Sequence, residues 1–101
     1  MPTPFTTSLR EAPEGGRVLV LTGEIDMSNV ERFRSALEAT LRGTASATID
    51  LTKVEYLDSS GLTSLFGCTA DNELRIVASS LLARVLRVSG LTEVATVTIV
   101  D

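Results

Sequence analysis

Apolar positions along the chain switch between two periods, and the switches mark the elements. Arg17-Val18-Leu19-Val20-Leu21-Thr22 is apolar on consecutive positions, which predicts a central strand covered on both faces. Ala47-Thr48-Ile49-Asp50-Leu51 and Glu73-Leu74-Arg75-Ile76-Val77-Ala78 read as further strands, and Val97-Thr98-Ile99-Val100 as a short last one. Phe5 to Leu9 gives a weaker first strand with Phe5 and Leu9 on one face. Between the strands the period lengthens. Val30, Phe33, Ala36 or Leu37, and Leu41 share one helical face, opposite Glu31, Arg34, Glu38 and Arg42. Leu62, Leu65 and Phe66 recur at helical spacing, and Leu82, Val85 and Leu86 form a third stripe with Arg84 and Arg87 outside.

Punctuation between these runs agrees with them. Glu11-Ala12-Pro13-Glu14-Gly15-Gly16 breaks regular structure and predicts a turn, as Asp71-Asn72 does before the fourth strand. Ser28-Asn29-Val30-Glu31 fits a capping box with Ser28 as N-cap and Glu31 reaching back, and Gly43 closes that helix. Ser79 or Ser80 starts the third helix, and Ser89-Gly90-Leu91 ends it in the pattern of a Schellman motif. The order is β, β-α, β-α, β-α, β. It predicts a single α/β domain over residues 1–101, with a mixed, mostly parallel sheet of four or five strands, an antiparallel first strand and about three helices.

The stretch Val54 to Leu62 carries the candidate chemistry. Asp58 is placed to cap the helix that follows, which sets Ser59 and Ser60 in its first turn, at the positive end of the helix dipole. In a parallel sheet the β-to-α loops share one end, so Glu24 and Asp26 come beside Asp58, Ser59 and Ser60. Spacing alone does not choose between the two serines.

Composition removes several classes of function. A net charge of −4 and a single lysine, Lys53, disfavour a binder of nucleic acid or anionic membrane. Phe5, Phe33, Tyr56 and Phe66 fall at apolar positions and are expected in the core or at its edge. The chain has no histidine, so a serine hydrolase lacks its usual base, and Lys53 is expected on the far side of the connecting loop. Asp26 and Asp58 could supply two carboxylates to Mg²⁺, but such acids beside helix starts are more commonly caps, and no metal or cofactor is expected. Cys68 cannot form an internal disulfide and is expected as a small buried residue. The longest aliphatic run is far too short to span a bilayer, and Met1-Pro2-Thr3-Pro4-Phe5 has no signal-peptide pattern, so the expected location is cytoplasmic.

An exposed serine at a helix N-terminus can also be modified. A phosphate adds roughly −1.5 to −2 charges, which the helix end tolerates and a partner docked beside Asp26 and Asp58 does not.

Leu21-Thr22-Gly23-Glu24-Ile25-Asp26, then Ile49-Asp50-Leu51 leading to Tyr56-Leu57-Asp58-Ser59-Ser60-Gly61-Leu62, then Ser80 to Leu91 closing in Val88-Ser89-Gly90-Leu91, together resemble the STAS-domain anti-sigma factor antagonists of bacteria. The resemblance runs from Arg17 onward. It implies a non-enzymatic regulator of transcription and stress response that binds an anti-sigma factor, itself a serine/threonine kinase, and so frees a sigma factor. It further implies that Ser59 is the phosphorylated residue, that Asp26, Asp58, Ser60 and Gly61 contribute to partner binding, and that a metal-dependent protein phosphatase restores the active form. ATP and Mg²⁺ would belong to the kinase. The segment from Gly61 to Leu74 is about one turn or more shorter than is usual for the family, and the chain stops at Asp101 without the extra C-terminal helix of many members. The same domain also serves as an accessory subunit docking on a membrane transporter ATPase, as in lipid-transport ABC systems, which is the alternative function.

Overall fold

A computed structural model describes residues 4–13 and 15–101. Met1, Pro2, Thr3 and Glu14, on which the N-terminal expectation and part of the first turn rest, lie outside the described residues. The elements are β1 (Phe5–Glu11), β2 (Arg17–Ile25), α1 (Val30–Leu41), β3 (Ser46–Leu57), α2 (Ser59–Thr69), β4 (Glu73–Ala78), α3 (Ser80–Val88), a 3₁₀ turn (Leu91–Glu93) and β5 (Thr96–Ile99). They form one five-stranded sheet in the order β1-β2-β3-β4-β5, antiparallel between β1 and β2 and parallel elsewhere. The expected α/β architecture is therefore present.

Each parallel step moves one strand further along the sheet. Right-handed crossovers in a constant direction stack their helices on the same side, so α1, α2 and α3 share one face. Burial follows that geometry: Ile49 and Leu51 on β3, and Leu74, Ile76 and Ala78 on β4, are buried, while Thr48, Asp50 and Arg75 between them are not. Phe33, Leu37, Leu65, Leu82 and Leu86 meet the strand residues from the helices, and Leu19, Leu21 and Ile25 complete the core.

This overturns the expectation that β2 is covered on both faces. Leu19 and Leu21 face the helices, but Val20 and Thr22 stand on the open face beside Thr6 and Ser8 of β1. An unbroken apolar run marks a strand that can be buried twice, and the one-sided winding leaves the second cover out. Tyr56 is likewise corrected. It pairs with Glu24 on the open side at the strand end and is 51% exposed, whereas Phe5 and Phe33 are buried and Phe66 packs at the core edge. Leu9 shares the helix-side face with Phe5 but is 51% exposed, because it lies on an edge strand.

Asp58 and Ser79 occupy the N-caps of α2 and α3 as expected, and only the cap of α1 shifts, by one residue. Asn29, not Ser28, occupies the N-cap of α1, and Glu31 pairs with Arg34 rather than turning back. Arg17 donates to the carbonyls of Thr40 and Arg42, so β2 supplies the cation that serves the C-terminal end of α1. Gly43 and Gly90 take left-handed φ values of 77° and 88° past the ends of α1 and α3, as expected. At the second of these the Ser89 hydroxyl donates to the Leu86 carbonyl and accepts from the Leu91 N–H, inserting itself into the expected Schellman bond while Leu91 is fully buried.

Candidate functional site

The site begins where β2 and β3 end side by side. Ile25 is in register with Leu57, and the Asp58 N–H donates to the Ile25 carbonyl at 3.1 Å. Asp26 and Asp58 therefore open neighbouring loops at one end of the sheet. Two register shifts between β2 and β3, after Val20 and after Gly23, give β3 extra residues relative to its partner. Such bulges raise local twist and re-aim the strand end.

Asp58 is the N-cap of α2 in extended conformation. Its Oδ1 accepts from the Ser60 N–H at 2.9 Å, the Gly61 N–H at 3.1 Å and the Ser60 hydroxyl at 2.5 Å. One carboxylate oxygen thus satisfies two helix-end donors and immobilises the Ser60 side chain. Ser59 differs from its neighbour. It is exposed, its carbonyl accepts from Thr63, and among the described residues no hydrogen bond engages its hydroxyl. The spacing of the sequence left two serines equivalent; the cap geometry separates them.

Asp26 lies in a loop closed on itself. Its Oδ1 accepts from the Ser28 N–H and hydroxyl, and its own N–H donates to Asn29 Oδ1 at 3.1 Å. Asn29 was not singled out by its sequence context, since Asn before a helical run reads as one of several possible caps. It is 5% exposed, and its amide also donates to the Glu24 carbonyl at 2.8 Å, so it holds the exit of β2 against the start of α1. Gly61 is buried, and an added Cβ would lie 2.4 Å from Leu57 Cδ1 and 3.0 Å from Ile25 Cγ2. It contributes to the site by letting the first turn of α2 settle onto the two strand ends.

Around these loops the surface is apolar in one direction and mixed in another. Leu62, Val85, Leu81 and Val88 line a groove of about 510 Å³ between α2 and α3, with Arg84 at its rim. Leu81 is 65% and Val88 72% exposed. Their seven-residue spacing puts them on one side of α3, outside the buried stripe, a signal present in the sequence beside the one that was followed. On the other side of α2, Arg34, Glu38, Ser60 and Cys68 border a groove of about 550 Å³ toward α1. Cys68 is half-buried rather than buried, and its thiol is pushed above the ordinary range by burial and by the nearby Glu38 carboxylate. Met27, beside Asp26, is 80% exposed.

The arrangement suits recognition. Lys53 lies on β3 opposite Thr22, five residues before Asp58 or about 15 Å along a strand, so it does not serve Ser59 as a base. Among the described residues no group of three or more potential metal ligands comes together, and no helix is long and apolar enough to cross a membrane.

Comparison with known proteins bears on the fold and the family. No curated protein matches the chain. An anti-sigma factor antagonist from Mycobacterium paratuberculosis is similar over 97% of this chain and 88% of its own, at 26% identity and a TM-score of 0.87. The anti-sigma factor antagonist SpoIIAA in its unphosphorylated form matches in fold over 92% of this chain and 88% of its own, at 19% identity and a TM-score of 0.73. An uncharacterised protein with a SpoIIAA-like fold from Shewanella loihica shares the fold more distantly, over 98% of this chain and 87% of its own, at 14% identity and a TM-score of 0.61. The family model described as MlaB, STAS domain matches residues 8–100, and with that match over nearly its whole length the chain belongs to the STAS domain family.

Proposed function

We propose that this STAS domain is an anti-sigma factor antagonist switched by phosphorylation of Ser59. The observation that carries the reading is the contrast at the start of α2: the Ser60 hydroxyl is bound to Asp58, and the Ser59 hydroxyl is exposed beside it. In the unphosphorylated form the loop surface of Asp26 and Asp58 and the apolar groove between α2 and α3 dock on an anti-sigma factor kinase, which releases its sigma factor. That kinase transfers the γ-phosphoryl group of ATP to Ser59 Oγ; ADP leaves, and the hydroxyl proton passes to the kinase's own base. ATP and Mg²⁺ belong to the kinase, and this chain acts as substrate and ligand, not as an enzyme.

The switch is electrostatic. A phosphate carries roughly −1.5 to −2 charges, and the positive end of the α2 dipole accommodates it without unfolding the domain. In the interface the same charge meets whatever surface had closed over Asp26 and Asp58. Like-charge juxtaposition there costs several kcal/mol, or at least two decades of affinity. A metal-dependent phosphatase then restores the binding form.

A second reading has its own support, because the family description names MlaB while the structural relatives are named anti-sigma factor antagonists. In it the same surface docks on a membrane transporter ATPase and Ser59 finishes a helix cap. Mass spectrometry after incubation with ATP, Mg²⁺ and each candidate anti-sigma kinase decides between them, with Ser59→Ala as control. One phosphate on Ser59 from a single kinase is the expected result. No phosphate with any kinase, together with co-purification of a transporter ATPase, would establish the second reading.

A further inference from the structure

The two edges of the sheet are built differently. β5 is four residues long, and the chain beyond it folds in so that the Asp101 carboxylate accepts from the Ser80 N–H. β1 is seven residues long, pairs with β2 in unbroken register without a bulge, and carries no charge from Phe5 to Leu9. Short length, bulges and charges are the devices that keep an edge from pairing. On its uncharged stretch β1 uses none of them.

The ladder defines which groups point outward. The Glu24 N–H donates to the Pro4 carbonyl at 2.9 Å, so in the alternation of an antiparallel pair Pro4, Thr6, Ser8 and Arg10 address β2. Phe5, Thr7, Leu9 and Glu11 present their N–H and C=O groups to the outside. One of these is taken. Arg32 reaches round from α1, donates to the Phe5 carbonyl at 3.4 Å and lies 4.9 Å from the centre of the Phe5 ring. Among the described residues no hydrogen bond reaches the outward groups of Thr7, Leu9 or Glu11.

We propose that β1 pairs with β1 of a second copy of this chain, antiparallel and with Leu9 opposite Leu9, joining the two sheets into one. Antiparallel pairing about a two-fold axis matches outward groups with outward groups. The Leu9-centred register places Thr7 opposite Glu11 on either side and leaves out Phe5, whose carbonyl Arg32 already holds. Registers centred nearer the N-terminus bring Phe5 into the ladder and must displace Arg32. Side chains agree with the choice. The half-exposed Leu9 packs against its copy on the helix side, Arg10 stands opposite Ser8 on the open face, and no like charges meet. Strand order puts β1 at the opposite end of the sheet from β4 and β5, away from α3, so both Ser59 sites of the dimer stay available.

Sedimentation across low micromolar to millimolar protein, with amide hydrogen exchange at both extremes, tests this. The expected mass rises toward twice the 10.7 kDa of one chain, and slowed exchange at high concentration is confined to Thr7, Leu9 and Glu11. Leu9→Lys weakens self-association at least tenfold with an unchanged melting temperature. Thr7→Pro, which removes an outward N–H and no ladder donor, does the same if it folds. A monomer at every concentration overturns the proposal, as does a dimer that Leu9→Lys leaves intact. Protection of β1 only when a different protein is added would assign the edge to that protein instead.

Discussion

The Asp58 N–H bonds the Ile25 carbonyl, and that single contact across 3.1 Å ties the exit of β3 to the exit of β2. The bond extends the parallel ladder one residue beyond Leu57, into the loop that caps α2. The backbones from which Asp26 and Asp58 project are therefore tied to one another, and each carboxylate is then oriented by its own loop, Asp26 by Ser28 and Asp58 by the first turn of α2.

Capping by Asp58 has a measurable stability. Asp58→Ala removes the acceptor for the N–H groups of Ser60 and Gly61, and the expected loss is about 1 kcal/mol, within the range for N-cap deletion. Asp58→Asn keeps an oxygen in place and costs less. Urea denaturation of the two variants should rank them in that order; equal losses would mean that the carboxylate charge, not the acceptor, stabilises the turn.

Asn29 should be the more sensitive position although it lies outside every motif. Truncation to Ala removes the bonds that Asn29 makes to the Glu24 carbonyl and the Asp26 N–H in a half-buried loop, and lost hydrogen bonds of this kind cost about 0.5–1.5 kcal/mol each. We expect Asn29→Ala to lower the melting temperature more than Asp26→Ala, which alters docking more than stability. Calorimetry of both variants, with binding measured alongside, checks the order.

The sequence carried the fold further than the site. Periodicity placed all five strands and three helices because one-sided burial writes itself into alternation on β3 and β4 and into 3.6-residue stripes on the helices. It misjudged β2, since consecutive apolar residues record what a strand tolerates and not how many layers cover it. The cap of α1 was displaced from Ser28 to Asn29 because both types accept from free N–H groups, and only the reach of the Asn29 amide to Glu24 separates them. The distinction between Ser59 and Ser60 was invisible for the same reason. It depends on which hydroxyl turns toward Asp58, a rotamer fact with no trace in spacing.

Two glycines should respond differently to Ala. At Gly23, with φ 97°, a Cβ would lie 2.1 Å from the Pro4 carbonyl oxygen, a backbone atom that cannot move without opening the β1–β2 ladder. At Gly61 the obstruction is the end of the Leu57 side chain, which can change rotamer. Gly61→Ala is expected to cost about 1–3 kcal/mol through overpacking, and Gly23→Ala more. Chemical denaturation with the opposite ranking would place the strain of this region in the helix start, not in the β-bridge.

Cys68 gives a pH-dependent handle. Burial, then Glu38, raises its pKa above that of a free thiol, so the folded state holds its proton at a pH where the unfolded state releases it. The stability this contributes is present below the ordinary thiol pKa and is lost as pH rises from there through the folded value. Cys68→Ser should flatten the fall of stability in that alkaline window, and Glu38→Gln should speed alkylation of the native thiol at mildly alkaline pH. An alkylation rate equal to that of a free thiol in both proteins would show that neither burial nor Glu38 controls it.

Charge at Ser59 should act on binding and not on folding. The side chain is exposed, so Ser59→Ala should melt within about 0.5 kcal/mol of the wild type and bind the anti-sigma kinase without release by ATP. Ser59→Asp and Ser59→Glu place a carboxylate at the same helix start, where the dipole favours it, and should therefore be at least as stable as Ser59→Ala while binding more weakly. Ser60→Asp is the informative contrast: its side chain is turned toward Asp58, so a second carboxylate there is expected to lower stability as well as affinity. Calorimetric titration of the kinase with these variants, paired with thermal melts, separates the two effects. Full affinity in both acidic Ser59 variants would count against electrostatic release and leave the bulk of the phosphate as the source of the switch.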